Sequence, residues 1–350
     1  MDSSAKRPSP FRVATVVSFY MFAALVMVFV NKTVLNSTPD VPLLFLFLQL
    51  LIAVLLLHFT ALFSSRIEIP RWDPYTAKKL LPVVTINIVG LVFNTLCLRE
   101  VEATFFQIAR GLVLPLTISV TSLSSHSHPA ARVIGAAAIV TLGFFIGVAP
   151  EGNLPASSIP SAISLFYGVF SSLSIAIHSV LVKSSLSYCN NSTIQLAYWT
   201  NAGSAILIAP FVLLHGEPAK VLELSASAEW NAEVFVWGSL VTGFFGFLLC
   251  IAGLLSIKVT SPITHMFSSA ARSVIQTLLG VWIFQDVLTT NRVVSLMTIL
   301  CGTMYYTWIK AAEQAPPPAR AVDLEALAQD RGNKQEEIVW QAPEKSASSD

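Results

Sequence analysis

The chain has 350 residues, of which 54% are hydrophobic and only 12% charged, and its mean hydropathy is +0.68. A water-soluble domain carries about a quarter of its residues as Asp, Glu, Lys and Arg, so this composition excludes a disordered chain, a secreted disulfide scaffold and an ordinary cytosolic enzyme. With 21 basic and 20 acidic residues the net charge is +1, which gives no reason to expect nucleic acid as a partner.

A helix needs about 20 mainly apolar residues to cross a hydrocarbon core of about 30 Å. Residues 1–12 are basic and lead into the first such run without a small-residue cleavage site, which favours an uncleaved first span over a removed signal peptide. Ten runs follow, near 13–34, 41–63, 81–98, 104–123, 131–149, 160–183, 195–214, 234–257, 263–284 and 290–310, the third being the shortest. The connections Asn36 to Asp40, Ser124 to Pro129 and Pro150 to Pro155 are short and rich in turn formers, so neighbours are expected to pack antiparallel in one bundle over 13–310. Beyond Lys310 the composition changes to Gln314-Ala315-Pro316-Pro317-Pro318 and a charged, Ser-rich end. Residues 311–350 are therefore expected to form a disordered tail, and Ser346 to Asp350 carry no KDEL-type address. The expected fold is an all-α membrane protein.

Ten crossings place both termini on one side. With both ends cytosolic, that side collects fifteen Lys and Arg, and the opposite loops only Arg99, Lys220 and Arg292, so the positive-inside rule predicts cytosolic termini. The sequons at Asn36 and Asn191 then fall on opposite faces, and neither is expected to be used. Cys97, Cys189, Cys250 and Cys301 sit singly in or beside apolar runs and read as small hydrophobes. The first span ends Val30-Asn31-Lys32 and the sixth Leu181-Val182-Lys183, while the fourth and ninth each hold one arginine, Arg110 and Arg272. This five-span offset predicts two inverted five-helix repeats, about 13–149 and 160–310, around a midplane site. A small-residue stripe, Gly135, Gly143 and Gly147, serves either internal packing or a homodimer face.

Apart from Arg132, Lys183, Arg292 and Lys310 at the outermost ends of spans, three basic residues remain inside the spans or at their inner edges, Lys32, Arg110 and Arg272, while all the acidic residues fall outside. A buried cation costs about 2.5–3.5 kcal/mol at a helix centre. Three of them without a buried carboxylate call for an anionic substrate such as a phosphate. Lys32 either joins that site or snorkels to the interface. Arg110 precedes Pro115, whose ring frees the carbonyl of Gly111, and its guanidinium either binds substrate or satisfies freed carbonyls. Arg272 lies ten residues into its span beside Ser268, Ser269, Ala270 and Ala271, small groups that leave room at its side. Polar residues elsewhere in the spans include Asn87, Asn94, Gln107, His178, Asn201, His265 and Gln276, and each serves either packing or the site. No Walker loop, HExxH or usable GxSxG is present. No catalytic residue, metal ligand or cofactor is assigned, and transport is expected to run on gradients.

From 13 to 310 the chain resembles the triose-phosphate-translocator and nucleotide-sugar-transporter branch of the drug/metabolite transporter superfamily, most closely its Golgi GDP-fucose transporters. The matching pieces are Val28-Phe29-Val30-Asn31-Lys32, Phe93-Asn94-Thr95-Leu96-Cys97-Leu98, Thr104 to Arg110, Gly147 to Gly152, Thr260 to His265 and Tyr305 to Lys310. An FYNN-type segment of GDP-sugar transporters is matched by Tyr198-Trp199-Thr200-Asn201, with one asparagine lost. A GALNK-type segment is matched by Ser268-Ser269-Ala270-Ala271-Arg272, with arginine for lysine. The resemblance implies exchange of a nucleotide sugar for its nucleoside monophosphate across the lipid bilayer by alternating access. It also implies that Lys32, Arg110 and Arg272 hold the phosphates or sugar, that Tyr198 and Asn201 face the base, and that Asn94 and Ser268 line the pocket. Carriers of GDP-mannose, a UDP-sugar or a sugar phosphate, and a non-transporting scaffold acting through its tail, are the alternatives.

Overall fold

The computed structural model describes the backbone of residues 10–64, 67–149, 160–227, 230–259 and 262–314, with side chains described for these except 10–14, 250–270 and 314. The N-terminal residues before Pro10 and most of the predicted tail lie outside the described residues, as does the side chain of Ser268. The described residues are helical and contain no strand. The helices are α1 (Pro10–Ser37), α2 (Pro42–Phe63), α3 (Pro74–Glu100), α4 (Ala103–Gly111), α5 (Val113–Ser125), α6 (Ala131–Val148), α7 (Ala162–Ser185), α8 (Thr193–Leu214), α9 (Glu217–Ser225), α10 (Ala232–Val259), α11 (Pro262–Phe284) and α12 (Thr290–Gln314). The chain divides into a unit ending at Trp308 and a terminal unit from Ile309 onward. Within the terminal unit Lys310 pairs with Glu313 at 2.7 Å, one helical turn along.

Among the described residues, eight helical segments are long and apolar enough to cross a membrane, including Thr15–Ser37, Pro42–Phe63, Pro74–Glu100 and Ala103–Ser125. In α11 the described apolar stretch, Ala271–Phe284, is shorter, and α12 carries more polar residues. The outer faces are greasy, with Leu62 81% and Leu214 83% exposed. Such surface is unfavourable in water and natural in lipid.

Two boundaries differ from the sequence expectation. The third helix, expected at 81–98, is 27 residues long and starts at Pro74. Asp73 caps it, accepting from the backbone N–H of Thr76 at 2.9 Å and of Tyr75 at 3.3 Å, with Pro74 at the first helical position. These bonds hold the Asp73 carboxyl below the usual carboxylate range, the Thr76 hydroxyl contributing most. Lys78 and Lys79 lie inside the helix, and Lys79 sits 5.6 Å from the Tyr75 ring centroid. The fourth run is broken at Leu112 into α4 and α5. Pro115 supplies the cause: it has no N–H, and its ring collides with the carbonyl of Gly111.

Charged side chains from distant parts of the chain satisfy several helix ends. Glu217, at the start of α9, is buried and accepts from the N–H groups of Leu44 at 2.6 Å and Leu43 at 3.3 Å, closing the first turn of α2. Burial pushes its carboxyl up from the ordinary value, against the lowering effect of those bonds. Asp286 accepts from both the N–H and the hydroxyl of Thr104 at 2.9 Å, closing the start of α4. Arg292 pairs with Glu102 and donates to the carbonyl of Val287 at 2.6 Å.

Close helix approaches use small residues. A Cβ on Gly143 would meet Ile299 at 2.8 Å, and one on Gly147 would meet Ser295 at 2.5 Å and Ile108 at 2.9 Å. Those two glycines therefore pack internally against α12 and α4, whereas Gly135 has nothing within 4 Å. The largest core cluster joins Leu35, Phe45, Leu98, Phe105, Val140 and Phe235. Cys97 and Cys189 are buried in apolar clusters, as small hydrophobes.

Candidate functional site

Between α1, α3, α4, α7, α10 and α11 lies a cavity of about 410 Å³. Arg110 and Arg272 line it, together with Asn94. Among the described residues lining the cavity there is no Asp or Glu, so no carboxylate on this wall neutralises them.

Arg110 stands at the end of α4, where its guanidinium carbon lies 5.6 Å from the Phe106 ring centroid. The carbonyl of Ala109, near the break, accepts from the Ser172 hydroxyl at 2.9 Å and from the N–H of Leu112 at 3.3 Å. The guanidinium itself lines the cavity. Arg272 Nε is buried with no hydrogen-bond partner, and so is Asn94 Oδ1. Buried polar atoms are rarely left unpaired, because each costs about 1–3 kcal/mol. The Arg272 donor fits an anionic group, and the Asn94 oxygen fits a hydroxyl or N–H donor beside it.

Lys32 behaves differently. It is 7% exposed and does not line the cavity. Its ammonium donates to the carbonyls of Val101 at 2.8 Å, Leu98 at 2.9 Å and Arg99 at 3.2 Å. These are carbonyls at the end of α3, which have no partner within their own helix. Lys32 ties α1 to the end of α3, neither snorkelling to the interface nor reaching the arginines.

Tyr198 and Asn201 are also elsewhere. Tyr198 packs with Ala53, Leu57 and Phe247, its ring 5.3 Å from that of His58. Asn201 donates to the carbonyl of Ala197 in its own helix at 2.8 Å. Of the seven residues singled out in the sequence, the structure brings Asn94, Arg110 and Arg272 together, sets Lys32, Tyr198 and Asn201 apart, and does not describe the side chain of Ser268.

The cavity also holds polar residues whose sequence context fits packing and function equally. Asn87 donates from Nδ2 to the Ser204 hydroxyl at 3.1 Å, and Asn31 accepts from Gln49 at 2.8 Å. His178 Nε2 is buried without a partner. The signal in the sequence is the spacing of Asn87 and Asn94, seven residues apart on one face of α3.

The Triose-phosphate Transporter family matches residues 11–307. A protein of Dictyostelium discoideum named GDP-fucose transporter 1 is 28% identical over 302 residues, covering 84% of this chain and 80% of its own. The mouse protein of the same name is 27% identical over 314 residues, covering 86% and 84%. An uncharacterized transporter of Schizosaccharomyces pombe is 32% identical over 326 residues, covering 90% and 81%.

Proposed function

The chain belongs to the triose-phosphate transporter family, and from that premise we propose that it is a nucleotide-sugar antiporter importing GDP-fucose into the Golgi lumen in exchange for GMP. The observation that carries this reading is the pair Arg110 and Arg272 in a cavity whose described wall has no carboxylate. A diphosphate supplies the missing negative charge, and planar guanidinium forks suit its oxygens. The unpaired carbonyl oxygen of Asn94 accepts from a hydroxyl of the sugar beside the phosphates. The names of the relatives in Dictyostelium and mouse supply the sugar and the base, and a relative in Drosophila melanogaster named for the Golgi supplies the compartment.

Ten spans in two inverted halves give this site its mechanism. The packing pattern supports the arrangement: α3 lies along α7 as α1 lies along α10, and α2 meets α10 as α8 meets α3. Exchanging α1, α2 and α3 for α7, α8 and α10 turns each pair into the other. Both termini are cytosolic, following the distribution of Lys and Arg. Obligatory exchange follows if the empty carrier, with two like charges lining one cavity, crosses between its two states less readily than the carrier with an anion in place.

Liposomes containing the purified full-length protein and preloaded with GMP should take up labelled GDP-fucose in preference to GDP-mannose and UDP-galactose. Uptake of another nucleotide sugar moves the specificity and keeps the carrier. No exchange of any phosphorylated compound contradicts the reading.

A further inference from the structure

A second cavity, of about 720 Å³, opens on the other side of α3. Asn87, Leu91, Asn94 and Leu98 line the central cavity, whereas Thr85, Ile88, Val92 and Leu96 line the second. At about 100° per residue these two sets fall on opposite faces of the helix. We propose that this outer groove seats one zwitterionic glycerophospholipid, its phosphate against Lys220 and Arg99, its ammonium against Asp40 and an acyl chain along Val89, Val92 and Phe211.

The groove is charged at one end only. Along α3 it runs from Thr85 to Arg99, a helical rise of about 21 Å, which exceeds half of a hydrocarbon core of about 30 Å. The α3 side chains lining it between those two ends are apolar, and α8 faces them with Leu207, Ile208 and Phe211. Phe211 is 58% exposed and Thr85 is exposed as well, so the groove opens to the surroundings of the bundle, which for helices of this length and composition are lipid. The charged residues gather where both helices end: Arg99 in the last turn of α3, Glu217 and Lys220 in α9 just beyond α8, and Asp40 just before α2. This layout fits an amphiphile with one polar end. A helix of another chain presents side chains along its whole length and has no use for charge at one end alone.

The mouth carries both signs of charge, and its contacts show which of them are committed. Arg99 donates from Nη1 to the carbonyl of Pro39 at 3.2 Å, next to Asp40 in the chain, and pairs with Glu100 at 2.6 Å. Glu217 gives both carboxylate oxygens to the N–H groups of Leu43 and Leu44. These bonds join the α1–α2 connection to the end of α3 on one side and to α9 on the other. Lys220, half-buried and one helical turn beyond Glu217, and Asp40, exposed, are the two opposite charges the mouth has left to present. A headgroup that carries a phosphate and an ammonium meets both. An anionic headgroup or a free fatty acid would satisfy Lys220 and set a like charge beside Asp40.

Native mass spectrometry of the purified full-length protein, titrated in detergent with dioleoyl phosphatidylethanolamine, tests this without relying on transport. One molecule should bind at least about fivefold more tightly than dioleoylglycerol, which has the same chains and no charge. Dioleoyl phosphatidylglycerol, a net anion, should bind less tightly than phosphatidylethanolamine, and Asp40→Asn should remove that difference. Lys220→Gln should weaken phosphatidylethanolamine binding about fivefold. Val89→Trp, which fills the apolar stretch, should weaken it about tenfold or more, while Leu142→Trp, on an exposed position of α6 away from the groove, should leave it unchanged. Binding that neither Lys220→Gln nor Val89→Trp weakens overturns the inference, as does equal binding of dioleoylglycerol or of phosphatidylglycerol. Displacement of the lipid by excess phosphoethanolamine also overturns it, since that result marks a site for a soluble phosphate.

Discussion

Lys32 and the pair Arg110 and Arg272 are cations enclosed by apolar helices, yet their surroundings differ in kind. Lys32 has three carbonyl partners within 3.2 Å, all at the end of α3. Arg272 Nε has none, and no carboxylate lies among the described residues lining the cavity it shares with Arg110. A cation whose donors are all committed to backbone acceptors holds the fold together. One whose donors face an open cavity is arranged for a group that comes and goes. Lys183, at the corresponding place in α7, is exposed, so the matching sequence endings of the first and sixth spans do not have matching environments.

Substitutions should separate the two regions by the quantity that changes. Arg272→Ala should have the largest effect, lowering exchange by about a hundredfold or more, equivalent to roughly 2.7 kcal/mol, while the protein stays inserted and folded. Near-normal exchange by that variant would remove the site from the account. Arg110→Lys should cost less, about tenfold in KM, because the charge remains and the bidentate fork is lost. Lys32→Met should act on stability instead: leaving the α3 carbonyls unpartnered should cost about 2 kcal/mol or more, read as a lower Tm in detergent, with KM changed by less than about threefold. A KM effect larger than that of Arg110→Lys would place Lys32 in the site after all. Tyr198→Phe and Asn201→Ala should change KM by less than about twofold, since neither lines the cavity.

The helices are largely legible in the sequence because hydrocarbon-spanning runs leave a strong compositional trace. The break at Leu112 is foreshadowed by Pro115. The early start of α3 is harder to read, although Asp73-Pro74 is a strong capping signal, because Lys78 and Lys79 look like a boundary when they stand within the helix. At the site, Arg110 and Arg272 stand out as charges in apolar runs. The role of Lys32 is hidden, since the carbonyls it caps lie 66 to 69 residues away and carry no side-chain signature. Tyr198 and Asn201 stand out only by resemblance to a motif, and the packing of α8 shows that their side chains turn elsewhere. Asn87 and His178 are visible but ambiguous, because a polar residue within a span serves equally to join helices.

The contrast between committed and uncommitted cations is tested most directly by ligand-induced thermal stabilisation. A ligand at about a hundred times its Kd stabilises the protein that binds it by about 2.7 kcal/mol. GMP should raise the Tm of the wild type and, from a lower starting point, that of Lys32→Met by a similar increment, and should leave Arg272→Ala unmoved. Equal stabilisation of Arg272→Ala and the wild type, or loss of the response in Lys32→Met alone, would contradict the account.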